Sequence, residues 1–145
     1  MARVLYVEDH ADTRDAIAEL LRRAGYEVET AGNGNEALAC AFARTPDVIL
    51  LDLALPELDG AKLIEVLRSY LRLALLPIVV LSGMGTGSLF EQAKALNPSS
   101  ILIKGRTGFD QILAAIRNAL TQPPSARFAG QVGKPAGEPP RSRSG

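Results

Sequence analysis

The chain has 145 residues, 47% hydrophobic and 22% charged, which suits one ordinary soluble domain with a real core. Sixteen basic and sixteen acidic side chains cancel, so overall charge predicts no attraction to nucleic acid or to an anionic membrane. The apolar stretch from Leu73 to Leu81 is broken by Pro77 and falls short of the roughly 20 residues of a spanning helix; a lone cysteine, Cys40, cannot close an intramolecular disulfide.

Met1-Ala2-Arg3 carries no signal-peptide core and leads straight into a strand, Val4-Leu5-Tyr6-Val7, that ends in Glu8-Asp9. With the single cysteine, this start makes the cytoplasm the expected location. Ala16, Ile17, Leu20, Leu21 and Ala24 recur at helical spacing, and Gly25 follows as a stop. Val28 to Ala31 is a weaker strand, suited to a sheet edge. Gly34 to Arg44 reads as a helix with Ala37, Leu38, Ala41 and Phe42 on its buried stripe; Cys40 falls off that stripe and is given no role. Val48-Ile49-Leu50-Leu51 has the unbroken apolar character of a strand buried on both faces, and Asp52 closes it. Pro56 and Asp59-Gly60 then turn the chain. Leu63, Ile64 and Leu67 mark a helix extending toward Leu71, and Ile78 to Leu81 is a fourth strand ended by Ser82. A helix around Ser88 to Leu96 follows a start crowded by Gly83, Gly85 and Gly87. Ile101-Leu102-Ile103 is the fifth strand, ended by Lys104, and Phe109, Ile112, Leu113, Ile116 and Leu120 form a final amphipathic helix.

Five strands alternating with five helices predict an α/β fold, a parallel sheet with helices on both faces. Residues 1–121 form the predicted domain. Residues 122–145, rich in Pro, Gly, Ser and Arg and without an apolar period, are expected to be a disordered tail. Arg127, Lys134, Arg141 and Arg143 against Glu138 give that tail a net charge of +3, leaving −3 on the domain. Its separated cations and one aromatic, Phe128, suit a solvated linker better than a nucleic-acid contact. No direct DNA binding and no membrane contact are expected.

In a parallel sheet all carboxyl ends share one edge, where open α/β folds place their chemistry. Glu8, Asp9, Asp52, Ser82 and Lys104 can therefore meet although they are far apart in sequence. Packed carboxylates repel unless a cation neutralises them, and oxygen-only ligands suit Mg²⁺. A hydroxyl and an ammonium opposite would suit the oxygens of a phosphoryl group. The implied chemistry is phosphoryl transfer to a carboxylate.

With these residues in this order, and Asp52-Leu-Ala-Leu-Pro-Glu-Leu-Asp-Gly after the third strand, the chain over residues 2–121 resembles the receiver domain of bacterial two-component response regulators. The resemblance implies a flavodoxin-like, doubly wound five-stranded sheet of order 2-1-3-4-5. It implies that Asp52 is the phosphoacceptor, taking its phosphoryl group from a sensor histidine kinase or phosphotransfer protein. Asp9, Asp52 and the backbone carbonyl of Ala54 would bind Mg²⁺, with Glu8 acting through water. Ser82 and Lys104 would each contact a phosphoryl oxygen, and Ala54 and Met84 flank the site. The chain would catalyse its own phosphorylation and dephosphorylation rather than act as a conventional enzyme.

Three positions depart from the family pattern: Gly105 follows Lys104 where the family usually has proline, Ile101 occupies the place of a switch aromatic, and Leu96 to Ser100 lacks the usual Gly-Ala. All lie on the family's usual signalling face. The expectation is thus a stand-alone receiver that signals to an unknown downstream protein by protein–protein contact. The alternative is a phosphorylation-independent interaction module that keeps the acidic pocket as a relic. A third reading comes from Gly32-Asn33-Gly34-Asn35-Glu36-Ala37, which matches a dinucleotide fingerprint but follows the second strand rather than the first, so an ordinary tight turn explains it better. His10, beside the acidic pair, reads as a solvated loop histidine.

Overall fold

A computed structural model describes residues 1–122; the expected tail from Pro123 onward, with Phe128 and all its charges, lies outside the described residues. The apolar runs become β1 (Arg3–Val7), β2 (Glu27–Ala31), β3 (Val48–Asp52), β4 (Ile78–Ser82) and β5 (Ser100–Ile103). The periodic segments become α1 (Ala11–Arg23), α2 (Gly34–Ala43), α3 (Gly60–Ser69), α4 (Ser88–Ala95) and α5 (Phe109–Thr121). All strand pairs are parallel, in the order β2-β1-β3-β4-β5. The fold is the flavodoxin-like α/β sheet that the sequence predicts.

Burial follows from that order. β3 and β4 are flanked by strands and covered on both faces, so every residue in them is buried, whereas β2 and β5 at the edges are mostly half-buried. Alternation divides the core in two. Leu5, Ile49, Leu51 and Val80 pack with Ala37 and Ala41 of α2 and Leu63, Ile64 and Leu67 of α3. Val4, Tyr6, Leu50 and Val79 pack with Leu21 of α1 and Ile112 and Ile116 of α5. Among the described residues no helix is long and apolar enough to cross a membrane.

Three local expectations are corrected. In α1 the sheet-facing side is built on Ala18 and Leu21 with Ile17 beside them, while Leu20 is exposed. Leu20 and Leu21 are adjacent on the helix, so only one of them can point to the sheet, and Leu21 shares that side with Ala18. In α2, Phe42 is 38% exposed rather than buried; its ring meets Tyr70 edge-on, with centroids 4.7 Å apart, and Arg72 lies over it. Finally, α3 stops at Ser69, and a 3-10 turn over Leu71–Leu73 leaves Leu71 in solvent.

Candidate functional site

β1 and β3 are neighbours although β2 comes between them in sequence, so the chain reverses direction across the sheet at their carboxyl ends, the point where such folds open a crevice. Asp52 is the last residue of β3 and Glu8 the first beyond β1; both are buried, and Asp9 beside them is exposed. One carboxylate oxygen from each of the three lies within 4.8 Å of the others. Lys104, following β5, brings its Nζ to 2.8 Å from Asp52 Oδ2 and 3.7 Å from Glu8 Oε1. A cavity of about 450 Å³ is lined by these four side chains together with Ala54, His10 and Thr13.

The walls are fixed by local chemistry. The Ala54 N–H donates to Asp52 Oδ1 at 3.2 Å, and the Leu53 N–H donates to the Leu81 carbonyl, prolonging the β3–β4 ladder past Asp52. Asp59 caps α3 by accepting the Lys62 N–H at 2.8 Å. The Gly60 N–H donates to the Leu53 carbonyl, and a Cβ on Gly60 would sit 2.6 Å from the Leu53 Cα. Asp59-Gly60 is therefore more than a turn signal: glycine lets the start of α3 lock the end of β3.

Ser82 is buried at the end of β4 and joined to Lys104 through the backbone, the Lys104 N–H donating to the Ser82 carbonyl at 2.8 Å. Its hydroxyl points to its own loop, donating to the Met84 carbonyl at 2.6 Å and accepting the Met84 N–H at 3.3 Å. Ser82 does not line the cavity around Asp52. Gly105 has φ of +85°, a left-handed conformation that favours glycine and that proline cannot adopt, and the described residues contain no cis peptide bond. Ile101 is half-buried and packed against the core on the α3 and α4 side.

Burial, then the charge of Asp52, raises the Glu8 carboxyl above its ordinary range, against the pull of the His10 N–H and of Lys104. Partial burial opposes the Lys104 ammonium, but its hydrogen bond to Asp52 and the charges of Asp52, Glu8 and Asp9 outweigh this and raise it. Three carboxylates facing one ammonium leave the cavity with an excess of negative charge. An all-oxygen donor set with that excess fits a hard divalent cation such as Mg²⁺.

Two residues at this site were not singled out from the sequence. Thr13 lines the cavity from the first turn of α1. Tyr6 lies beneath it, fully buried, with its hydroxyl donating to Glu8 Oε1 at 3.3 Å; burial and the Glu8 charge raise that hydroxyl's pKa. The signal for Tyr6 was available, since strand alternation puts it on the same side as Glu8. His10 is the N-cap residue of α1, exposed, with its backbone N–H donating to Glu8 Oε2 at 3.2 Å. The Gly32–Ala37 segment is a capped turn: Asn33 accepts the Glu36 N–H, Glu36 accepts the Gly32 N–H, and Gly34 packs where a Cβ would meet Leu58 at 2.8 Å. Cys40 is half-buried against the core, and burial with nearby Glu29 pushes its thiol pKa up.

Comparison with known proteins agrees with this geometry. The family model described as the response regulator receiver domain matches residues 4–117. The transcriptional regulatory protein PdtaR of Mycobacterium tuberculosis is 39% identical over 103 residues, covering 70% of this chain and 49% of that protein. The chain thus spans about half the length of that curated relative. The crystal structure of the chemotaxis response regulator CheY4 of Vibrio cholerae superposes with a TM-score of 0.76 at 32% identity, covering 83% of this chain and 99% of that one. A putative response regulator from Chloroflexus aurantiacus superposes with a TM-score of 0.77 at 28% identity, covering 83% and 98%.

Proposed function

The chain belongs to the response regulator receiver domain family, and from that membership we propose that Asp52 accepts a phosphoryl group from a phosphohistidine of a sensor histidine kinase or phosphotransfer protein. The observation that carries this reading is the buried Asp52 carboxylate, open to the cavity and 2.8 Å from the Lys104 ammonium. An Asp52 oxygen forms the new O–P bond while the donor's P–N bond breaks, and the imidazole nitrogen keeps the electron pair. Asp9, Asp52, the Ala54 carbonyl and, through water, Glu8 would hold Mg²⁺. When bound, that ion supplies positive charge against the phosphoryl oxygens. Lys104 is placed to exchange its Asp52 contact for a phosphoryl oxygen, and Ser82 to do so by giving up the Met84 carbonyl. Water attack on phosphorus later returns the free carboxylate and inorganic phosphate.

In this reading the protein works in the cytoplasm and passes its state to a downstream protein by surface contact. The net charge of −3 on residues 1–121 supports that output over direct DNA binding. Acetyl phosphate with Mg²⁺ is expected to add one phosphoryl group, labile to base and to hydroxylamine, to the wild-type protein and none to Asp52→Asn, measured by intact-protein mass. No adduct on the wild type, or the same adduct on the variant, refutes the reading. If beryllofluoride with Mg²⁺ leaves the structure unchanged while a partner binds the bare protein, the phosphorylation-independent module replaces it.

A further inference from the structure

Glu8 is a buried carboxylate in a crowded anionic site, and its orientation is set by three donors from three parts of the fold. The His10 N–H reaches Oε2 at 3.2 Å, the Lys104 ammonium stands 3.7 Å from Oε1, and the Tyr6 hydroxyl reaches Oε1 at 3.3 Å. Of these only the tyrosine comes from inside the core. Its ring is fully buried in the cluster between the sheet and α1 and α5, so it has no freedom to follow the carboxylate. A buried tyrosine hydroxyl needs a polar partner, and Glu8 is the one it has found. The Lys104 side chain is 40% exposed and its ammonium is shared between Asp52 and Glu8, which makes it the less rigidly held anchor.

We propose that Tyr6 is a positioning residue for the metal site: from beneath the cavity its hydroxyl holds the Glu8 carboxylate in the orientation that a water-bridged divalent cation requires. This rests on reading the cavity as a Mg²⁺ site. A partner that orients an acidic ligand acts on metal affinity through that ligand alone. Tyr6→Phe removes one oxygen atom and keeps the ring that fills the core, so its effect should appear in cation binding and not in the fold.

The test is calorimetric titration of Mg²⁺ into the wild type, Tyr6→Phe, Glu8→Gln and the double variant, with labelling by acetyl phosphate followed as Mg²⁺ is raised. Tyr6→Phe is expected to weaken Mg²⁺ binding about 10-fold. The Mg²⁺ concentration giving half-maximal labelling should rise in step, while the labelling rate at saturating Mg²⁺ stays at the wild-type value. In the Glu8→Gln background Tyr6→Phe should change the affinity no further, because the group it orients is gone. Equal affinity in the wild type and Tyr6→Phe overturns the inference alone, as does an equal loss in the Glu8→Gln background. A wild-type protein that binds no Mg²⁺ overturns the reading of the cavity and the inference together.

Discussion

Lys104→Met removes the cation from a cavity lined by three carboxylates while keeping a side chain of similar length. The ammonium lies 2.8 Å from Asp52 Oδ2 and 3.7 Å from Glu8 Oε1, and the facing carboxylate oxygens lie within 4.8 Å of one another. At an effective dielectric of about 20, attractions over those two distances are worth about 6 and 4.5 kcal/mol, and each carboxylate pair repels by about 3.5 kcal/mol or more. The Lys104 side chain is 40% exposed, so solvent screening reduces these values substantially. Breaking a fully buried pair from one side costs about 3–5 kcal/mol; with the screening, about 2–3 kcal/mol is expected here. For a domain of this size that lowers Tm by roughly 6–12 °C.

The assay is urea and thermal unfolding followed by circular dichroism in EDTA, repeated with Mg²⁺. The lysine's folded pKa is raised above 10.5, so its contribution is complete at pH 7 and is lost only as pH rises through the folded value. The Glu8 pKa is also raised, which for an acid has the opposite sense: ionising it costs stability above its folded pKa and nothing below the ordinary 4.5. Removing Lys104 raises the Glu8 pKa further, so the gap between wild type and variant should narrow as pH falls toward 4.5. Mg²⁺ should stabilise the variant by more than the wild type, in proportion to the charge left uncompensated. Equal urea midpoints at pH 7 without metal, or a gap that stays constant on acidification, refutes the electrostatic reasoning.

Arg68 on α3 donates to the carbonyls of Ala74 and Leu76 before β4 and of Leu96 and Asn97 after α4. Arg68→Met leaves those half-buried acceptors short of a charged donor and should cost about 2–3 kcal/mol in urea unfolding. Gly60→Ala forces a Cβ to 2.6 Å from the Leu53 backbone. It should cost about 1–3 kcal/mol and slow acetyl phosphate labelling of Asp52, because the displaced atom belongs to the residue after Asp52.

The features legible in the sequence were those that a local pattern determines. Val48 to Leu51 and Ile78 to Leu81 have the unbroken apolar character of central strands, and their carboxyl ends place Asp52 and Ser82, as the end of the Ile101–Ile103 strand places Lys104, without any knowledge of side-chain contacts. The face of α1 is only partly legible, because Leu20 and Leu21 are adjacent and the spacing alone does not say which of the two turns to the sheet. Arg68 was not legible: on a helix surface it reads as a solvated cation, and only the tertiary path of residues 74–76 and 96–97 reveals the carbonyls around it. Tyr6 shows a different gap. Its ring fits a buried strand and alternation puts it on the side of Glu8, but only the folded geometry brings its hydroxyl to 3.3 Å from that carboxylate. The Ser82 hydroxyl is expected to meet a phosphoryl oxygen only once Asp52 is modified; in the unmodified protein it takes the Met84 carbonyl, because a strand end fixes where a serine sits and not which acceptor its hydroxyl takes.

That hydroxyl bears on how a phosphoryl group on Asp52 could be read out. Ser82 satisfies the Met84 carbonyl within a loop that holds Gly83, Gly85 and Gly87, and Gly87 has φ of +104°. A neutral hydroxyl–carbonyl bond contributes about 1 kcal/mol net, and one to a charged phosphoryl oxygen about twice that. Exchanging the first for the second therefore favours the inward hydroxyl by roughly 1 kcal/mol, a five-fold shift in population and no more. Lys104, tied to Ser82 through the backbone, would transfer its ammonium to the same phosphoryl group and add to that bias. The neighbouring chain then decides which groups move inward with the serine. Ile101 is already half-buried against the core and has no hydroxyl to withdraw from solvent, so its displacement would carry little difference in free energy between the two states. If Asp52 is phosphorylated as proposed, the loop from Gly83 to Gly87, released when the Met84 carbonyl loses its donor, would carry more of the difference between the two states than the β5 side chain does.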